Sequence, residues 1–400
     1  MLRKLIALGA LALLLGMAAV AWHSGRPAAP TRASVADAGP VLPLVQMPMS
    51  DTAAASYLGD AACRKCHLKE FGAHSRSPHA RTLQRVTPDT VDAEFENVKP
   101  HFDPGLGIKY AFLRDGDSFF LEASQEQNRM RGRLDLALGA GVNAKTYLYR
   151  PTAETFVQLR MSWFRRAHRW DYTPKLEAPE ANPTPLGSLL DLQAASECLG
   201  CHSTTLVTDR SGQHLDLDRS QMNVGCERCH GPGKEHVAAL QRRDPTRRMQ
   251  RLATLSSGDL NRICGQCHLP QTGEKDQPTI LAVTGETVPS ASMSRSQCYI
   301  RTNGALRCTS CHNAHTSLEK NESSYNRVCL SCHQPNGGQA REQCPVNPTA
   351  GCTGCHMPRQ RVNNHFQPPT HWIKVYAGIA EAASSREQQV TPGVLAAKVK

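Results

Sequence analysis

Cysteine and histidine recur along this chain in a fixed arrangement that can hold a porphyrin covalently. Fourteen of the 16 cysteines fall in seven C-x-x-C-H motifs. Two thiols three residues apart leave one side of a helical turn and can add to the two vinyl groups of one porphyrin. The histidine that follows then faces the iron as the proximal ligand. This spacing is the attachment signature of c-type haem.

The seven motifs, numbered here 1 to 7 in chain order, predict seven covalently attached haems c. The attachment residues are Cys63, Cys66, Cys198, Cys201, Cys226, Cys229, Cys264, Cys267, Cys308, Cys311, Cys329, Cys332, Cys352 and Cys355. The proximal histidines are His67, His202, His230, His268, His312, His333 and His356. Zinc ribbons and a disulfide framework also use C-x-x-C pairs, but neither requires a histidine after every pair.

The second axial ligands would come from histidines outside the motifs. The best candidates are His79, His236, His315, His365 and His371, and the others are His74, His101, His168 and His214. His315 follows His312 by three residues on the same helical face, so it should bind a neighbouring haem instead of its own. Enough histidines exist for every iron to be bis-histidine, which favours electron transfer over substrate binding. We expect Met357 to pack against haem.

Composition and spacing together predict the fold class, a multihaem cytochrome c. Hydrophobic residues make up 40% of the 400 residues and aromatic residues 5%, with 26 prolines and 29 glycines. That supply is small for an ordinary core, and six motifs lie between residues 198 and 356. We therefore expect a mainly α and irregular chain wrapped around stacked haems, with a small antiparallel β insert.

The ends of the chain have a different composition from its middle. A basic start, an apolar run and Ala19-Val20-Ala21 predict a signal peptide over residues 1–21, with an N-terminal membrane anchor as the alternative. Residues 22–56 are predicted to be a flexible linker, and residues 376–400 a tail. Between them we expect a first haem segment (57–93), a β-rich haem-free insert (94–175) and a six-haem core (176–375). Export implies a periplasmic or otherwise extracytoplasmic location.

The haem-free insert carries two strand pairs. Residues 108–113 and 118–123 flank an Arg-Asp-Gly-Asp turn, and residues 145–149 and 155–163 flank Arg-Pro-Thr-Ala. A structural spacer is the favoured interpretation of this insert, and a docking or substrate surface is the alternative.

Cys298 and Cys344 stand outside the motifs. In an oxidising compartment two leftover thiols usually pair, which predicts a Cys298–Cys344 disulfide. A free, reactive thiol pair is the alternative.

The chain resembles the multihaem cytochrome c family that includes the tetrahaem electron acceptor of hydroxylamine oxidoreductase. The resemblance lies in motif 1 with Ser77-Pro-His79, in Gly225-Cys-Glu-Arg-Cys-His-Gly-Pro-Gly233, and in Cys308-Thr-Ser-Cys-His-Asn-Ala-His315. It continues through Cys352-Thr-Gly-Cys-His-Met-Pro-Arg359 with His365 and His371 downstream. It implies an exported electron-transfer protein with stacked haems, and it supports the five best distal candidates. Many long relatives carry helical repeats after the cytochrome part, and we expect none in this chain.

These features predict a carrier of electrons between redox partner proteins, in a respiratory chain. The alternative is an oxidoreductase acting on a small nitrogen or sulfur compound at one open haem, although no C-x-x-C-K motif is present. The formal charge of +11 is largely cancelled by haem propionates, each ferric haem adding about −1. We therefore expect no nucleic-acid binding, and the arginines near residues 242–251 can serve propionates or an acidic partner.

Overall fold

The computed structural model describes residues 47–91, 98–177, 184–244, 249–268, 289–302, 305–334, 344–361, 364–376 and 378. All of them belong to one of the two units into which the chain divides, residues 41–400. The predicted signal peptide and most of the predicted tail lie outside the described residues. Among the described helices, none is long and apolar enough to cross a membrane.

Two antiparallel sheets dominate the part of the chain between motifs 1 and 2. A four-stranded sheet has the order β2-β3-β4-β5, and a six-stranded sheet has the order β1-β6-β7-β8-β10 with β9 also paired to β8. The strands are β1 Leu83–Arg85, β2 His101–Asp103, β3 Ile108–Asp115, β4 Ser118–Gln125, β5 Asn128–Arg133, β6 Leu136–Leu138, β7 Ala144–Tyr149, β8 Phe156–Phe164, β9 Arg169–Tyr172 and β10 Gly187–Leu190. A separate two-stranded sheet pairs β11 Ser203–Thr205 with β12 Gln221–Met222.

Both predicted strand pairs are present and antiparallel. β3 pairs with β4 and β7 with β8, as the alternation of apolar residues indicates. The β region is nevertheless larger than the small insert that the sequence suggests, because it begins at Leu83 and continues to Leu190. Residues 83–190 are called the β region below.

The β region has a conventional apolar core. Tyr110 and Leu121 of the four-stranded sheet join Leu159, Met161 and Trp163 of the six-stranded sheet in one buried cluster. A second cluster packs the six-stranded sheet against Leu199, on the helix that carries motif 2. Each fully buried Leu or Met contributes roughly 1.5–3 kcal/mol of transfer free energy. The haems are therefore not needed as a core in this part of the chain, contrary to the expectation from composition.

The helices are short and most of them carry motifs. They are α1 Asp51–Ala54, α2 Asp60–Arg64, α3 Leu68–His74, α4 Leu192–Cys201, α5 Cys226–His230, α6 Lys234–Gln241, α7 Ser257–His268, α8 Pro289–Ser294, α9 Gln297–Arg301, α10 Cys308–Cys311, α11 Glu322–Leu330 and α12 Cys352–His356. After motif 3 the apolar packing is sparse, and the only cluster found among the described residues there centres on Leu255, Leu260 and Ile263.

The end of the predicted linker is folded onto the body. Ser50 caps α1, whose Asp51 pairs with Arg219, and Met49 forms a parallel bridge with Val207. These contacts join residues that are far apart in the sequence, so they leave no periodic pattern in the segment itself. Its composition alone therefore suggests a tether.

Candidate functional site

Each motif lies on a helix or at its end, as its spacing predicts. In motifs 1, 5 and 6 the backbone N–H of the histidine donates to the carbonyl of the first cysteine, at 2.9, 3.0 and 2.9 Å. This bond closes one helical turn, so both cysteines and the histidine leave the same side. Motif 1 is the most open to solvent, since Cys66 and His67 are both exposed.

Several histidines outside and inside the motifs are oriented by backbone carbonyls. The Nδ1 atoms of His202, His356 and His79 lie 2.8, 3.0 and 3.3 Å from the carbonyl oxygens of Thr82, Lys374 and Ala314. Such a bond holds the ring and leaves Nε2 free for a metal.

Three predicted distal histidines lie opposite motif histidines. The ring centres of His79 and His268, of His230 and His315, and of His312 and His371 are each 6.2 Å apart. An imidazole nitrogen binds a first-row metal at about 2.0 Å and the ring centre lies about 1.1 Å behind it, so two rings on one ion are separated by about 6 Å. The three separations match two ligands on opposite sides of one iron.

Buried polar atoms without partners also fit a bound group. Within the described part of the chain, the Nδ1 atoms of His236, His312 and His371 are buried and have no hydrogen-bond partner. Burial is the main reason that the pKa of His371 is lowered to about 4, which keeps the ring neutral as a metal ligand must be. The thiols and the histidine pairs together fit haem c.

The other predicted distal histidines have different surroundings. His365 stacks on Phe164 with ring centres 3.8 Å apart, and its Nε2 lies 2.9 Å from Asp171 Oδ2. A ligand role for His365 would therefore need Nδ1 or a rearrangement. His74 is buried with Nδ1 3.9 Å from Asp60 Oδ2.

The three remaining candidates lie in or beside the β region. His101 Nε2 is 3.4 Å from the Tyr172 hydroxyl. His214 lies between Asp209 and Glu154, at 3.1 and 3.6 Å. His168 ends a 3₁₀ turn in the left-handed conformation, with φ of 47°.

Cysteines of different motifs meet in pairs. The first cysteines of motifs 1 and 3 contact each other, and the same holds for motifs 4 and 5 and for motifs 6 and 7: the pairs are Cys63–Cys226, Cys264–Cys308 and Cys329–Cys352. The second cysteines of motifs 2 and 4, Cys201 and Cys267, also meet, and contact with Cys201 is the main reason that the pKa of Cys267 falls to about 6.

Two charged residues inside motif 3 are functional candidates that the sequence reasoning missed. Glu227 is 1% exposed and accepts the backbone N–H groups of Leu58, Gly59 and Gly233, the last two at 2.7 Å. Arg228 is 7% exposed with Nη2 4.0 Å from Cys267 Sγ. Its Nη1 has no hydrogen-bond partner within the described residues, and its charge acts on thiols of motifs 2, 3 and 4.

Cys298 and Cys344 are both free thiols in the structure, and their pairing in a disulfide stays a prediction. They lie beside different motifs, because Cys298 interacts with Cys311 and Cys332 whereas Cys344 interacts with Cys352. Burial raises the pKa of Cys298, which makes that thiol a weak nucleophile.

Comparisons with known proteins give matches of one kind. A family model described as cytochrome c554 and c-prime matches residues 160–231, which include motifs 2 and 3. Multiheme cytochrome MtrA of Shewanella baltica (strain OS185) is 26% identical over 227 residues, covering 45% of this chain and 66% of that protein. The crystal structure of the outer cell wall cytochrome OcwA matches 82% of each chain with a TM-score of 0.49 and 16% identity. The chain thus spans just under two thirds of the curated relative.

Proposed function

We propose, from the chain's relation to the multihaem c-type cytochromes, that it is a seven-haem protein that carries electrons between redox partner proteins outside the cytoplasm. The observation that carries the proposal is the set of three histidine pairs with ring centres 6.2 Å apart. Kinship with the acceptor of hydroxylamine oxidoreductase, rather than with multihaem cytochromes in general, is part of this proposal.

The residues of each site have separate roles. When bound, haem would supply the one-electron chemistry. The fourteen motif cysteines would hold the porphyrins, and the seven motif histidines would each bind one iron. His79, His315 and His371 would bind the iron at motifs 4, 3 and 5, so each comes from a segment remote from the motif it would complete.

The cysteine contacts suggest an order for the haems. Motifs 1 and 3, 4 and 5, and 6 and 7 are joined through their first cysteines, whose sulfurs would be thioethers in the mature protein. Cys229 interacts with both cysteines of motif 4, and Cys311 with Cys329, which links the three pairs. The resulting path is 1, 3, 4, 5, 6, 7, with motif 2 branching at motif 4. Its first site is the exposed motif 1, where an electron can enter or leave.

The test uses the exported full-length protein. The haem content by the pyridine haemochrome assay should be seven per chain, and the electron paramagnetic resonance spectrum of the oxidised protein should be dominated by low-spin bis-histidine iron. A chain without covalent haem would refute the proposal. A high-spin signal that shifts when nitrite, hydroxylamine or sulfite is added would favour the alternative, an oxidoreductase with one open haem.

A further inference from the structure

Three motifs are preceded by a polar residue whose side chain serves a different motif. Asp60, Asn261 and Asn326 each stand three residues before the first cysteine of motifs 1, 4 and 6. Asp60 Oδ1 accepts the backbone N–H of Cys226 at 2.8 Å, Asn261 Oδ1 that of Cys308 at 3.3 Å, and Asn326 Oδ1 that of Cys352 at 3.2 Å. These three are called the bridging residues.

Each accepted N–H belongs to the first residue of a motif helix. Cys226, Cys308 and Cys352 begin α5, α10 and α12. The first N–H groups of a helix have no partner inside the helix and need an acceptor from elsewhere. Here the acceptor stands just before an earlier motif, so each bridging residue holds the start of a later motif helix.

The bridging residues join the same motifs that meet through their first cysteines. Asp60 joins motifs 1 and 3, Asn261 joins 4 and 5, and Asn326 joins 6 and 7. Cys308 Sγ itself lies 2.9 Å from Asn261 Oδ1. Asn261 and Asn326 are each 7% exposed, so little water competes for their oxygens.

Position in the sequence alone does not produce this contact. Asn223 also stands three residues before a first cysteine, that of motif 3, but its Oδ1 accepts the N–H of Leu83 in β1 at 2.9 Å. A bridging contact therefore forms only where the fold brings the first residue of another motif helix next to the polar side chain. The sequence alone does not reveal it.

We propose that the bridging residues set the spacing of three haem pairs, 1 with 3, 4 with 5, and 6 with 7, and that motif 2 stands outside this pairing. The proposal rests on the proposed function, because the first cysteines must carry haem. It makes Asp60, Asn261 and Asn326 positioning residues: they touch no iron, but they fix the backbone from which each partner sulfur extends.

The expected consequence is electrostatic coupling within a pair. Each electron added to one haem opposes the addition of the next to its neighbour, and this repulsion falls as the distance grows. A pair held closely is therefore reduced in two separated steps. Loosening the bridge should narrow the separation between the two steps.

Asn326 offers a clean test in the full-length holoprotein. Asn326→Ala removes the acceptor and Asn326→Asp keeps it. Asn321→Ala is the matched control. Asn321 is an exposed asparagine that caps α11, the helix that carries Asn326, by accepting the N–H of Ser323 at 3.0 Å. Haem content, amide exchange at Cys352 and the stepwise reduction curve are measured for each variant.

Asn326→Ala should keep seven haems. Its Cys352 amide should exchange about tenfold faster than in the wild type, and the potentials of one pair of reduction steps should lie closer together. Asn326→Asp and Asn321→Ala should match the wild type in protection and separation. Unchanged protection and separation in a fully loaded Asn326→Ala protein would overturn the proposal. If that variant loses haem, Asn261→Ala tests the same contact at Cys308, and haem loss in both would assign these residues to assembly and overturn a spacing role. A wild type without covalent haem would instead refute the proposed function.

Discussion

Replacing Glu227 with alanine should destabilise the protein more than any surface change. The side chain is 1% exposed and accepts three backbone N–H groups, from Leu58, Gly59 and Gly233. The bond to Gly233 is fully buried, so its loss costs about 2 kcal/mol, and the two half-buried amides cost about 1 kcal/mol each because water can reach them. Together the substitution should lower the free energy of unfolding by about 4 kcal/mol.

Guanidinium unfolding followed by far-UV circular dichroism measures this loss, and amide exchange locates it. Exchange at Leu58 and Gly233 should accelerate together, since one carboxylate joins the segment before motif 1 to the turn after motif 3. Glu235→Ala, an exposed glutamate on α6, is the control and should change stability by less than about 0.5 kcal/mol. A loss below about 1 kcal/mol for Glu227→Ala would refute the argument that these amides depend on Glu227.

Four further outcomes are expected. His315→Ala should convert the iron at motif 3 to high spin in electron paramagnetic resonance while the other six irons stay low-spin. His214, whose ring lies between two carboxylates, is the control, and His214→Ala should convert no iron. A fully low-spin His315→Ala protein would contradict the ligand assignment. Arg228→Gln should lower at least one reduction potential in a potentiometric titration, because a buried positive charge favours the reduced state. Arg262→Gln is the control and should leave the potentials unchanged, since Arg262 is exposed and paired with Asp259 at 2.7 Å. Gly187→Ala should lower the free energy of unfolding by about 2–4 kcal/mol, since φ is +153° and a Cβ would lie 1.9 Å from the Gln158 carbonyl oxygen. Gly116→Ala, with φ of +58° and open space around the Cβ position, should lower it by about 1 kcal/mol. Equal losses of stability in the two variants would exclude the clash at Gly187. Burial would raise the pKa of Asp171, but hydrogen bonds from Tyr172 and His365 hold that pKa below its ordinary value. The stability that ionised Asp171 contributes is therefore present above about pH 4 and is lost as pH falls through the lower folded pKa. Asp171→Asn should be less stable than the wild type at pH 7, with the difference in unfolding free energy shrinking in acid, and a difference independent of pH would exclude this linkage.

The features with a local signal were predictable from the sequence. The seven motifs follow from the spacing of cysteine and histidine, and β3, β4, β7 and β8 follow from alternating apolar residues. His315 shows the limit: its position three residues after His312 excludes its own haem, but only the fold shows that it lies opposite His230.

The features that depend on distant residues were not predictable. The strands β1, β6 and β10 have three or four residues each, too few for a period to be recognised, so the β region was underestimated. The Asp171 carboxylate that binds His365 is 194 residues away. Glu227 and Arg228 occupy the two variable positions of a C-x-x-C-H motif, where the pattern prescribes no residue type.

The uneven distribution of buried apolar side chains implies an order of maturation. Among the described residues, Met293 is the only buried hydrophobic side chain after Ile263, whereas the β region closes its own core. Because the chain is made from its N-terminus, the sheets and the anchored motif 2 helix can be complete before motifs 5 to 7 emerge. If motifs 5 to 7 bind haem as proposed, their described residues have little apolar packing to fold around before attachment. These motifs would then stay accessible to the machinery that attaches haem, and to proteases if attachment fails.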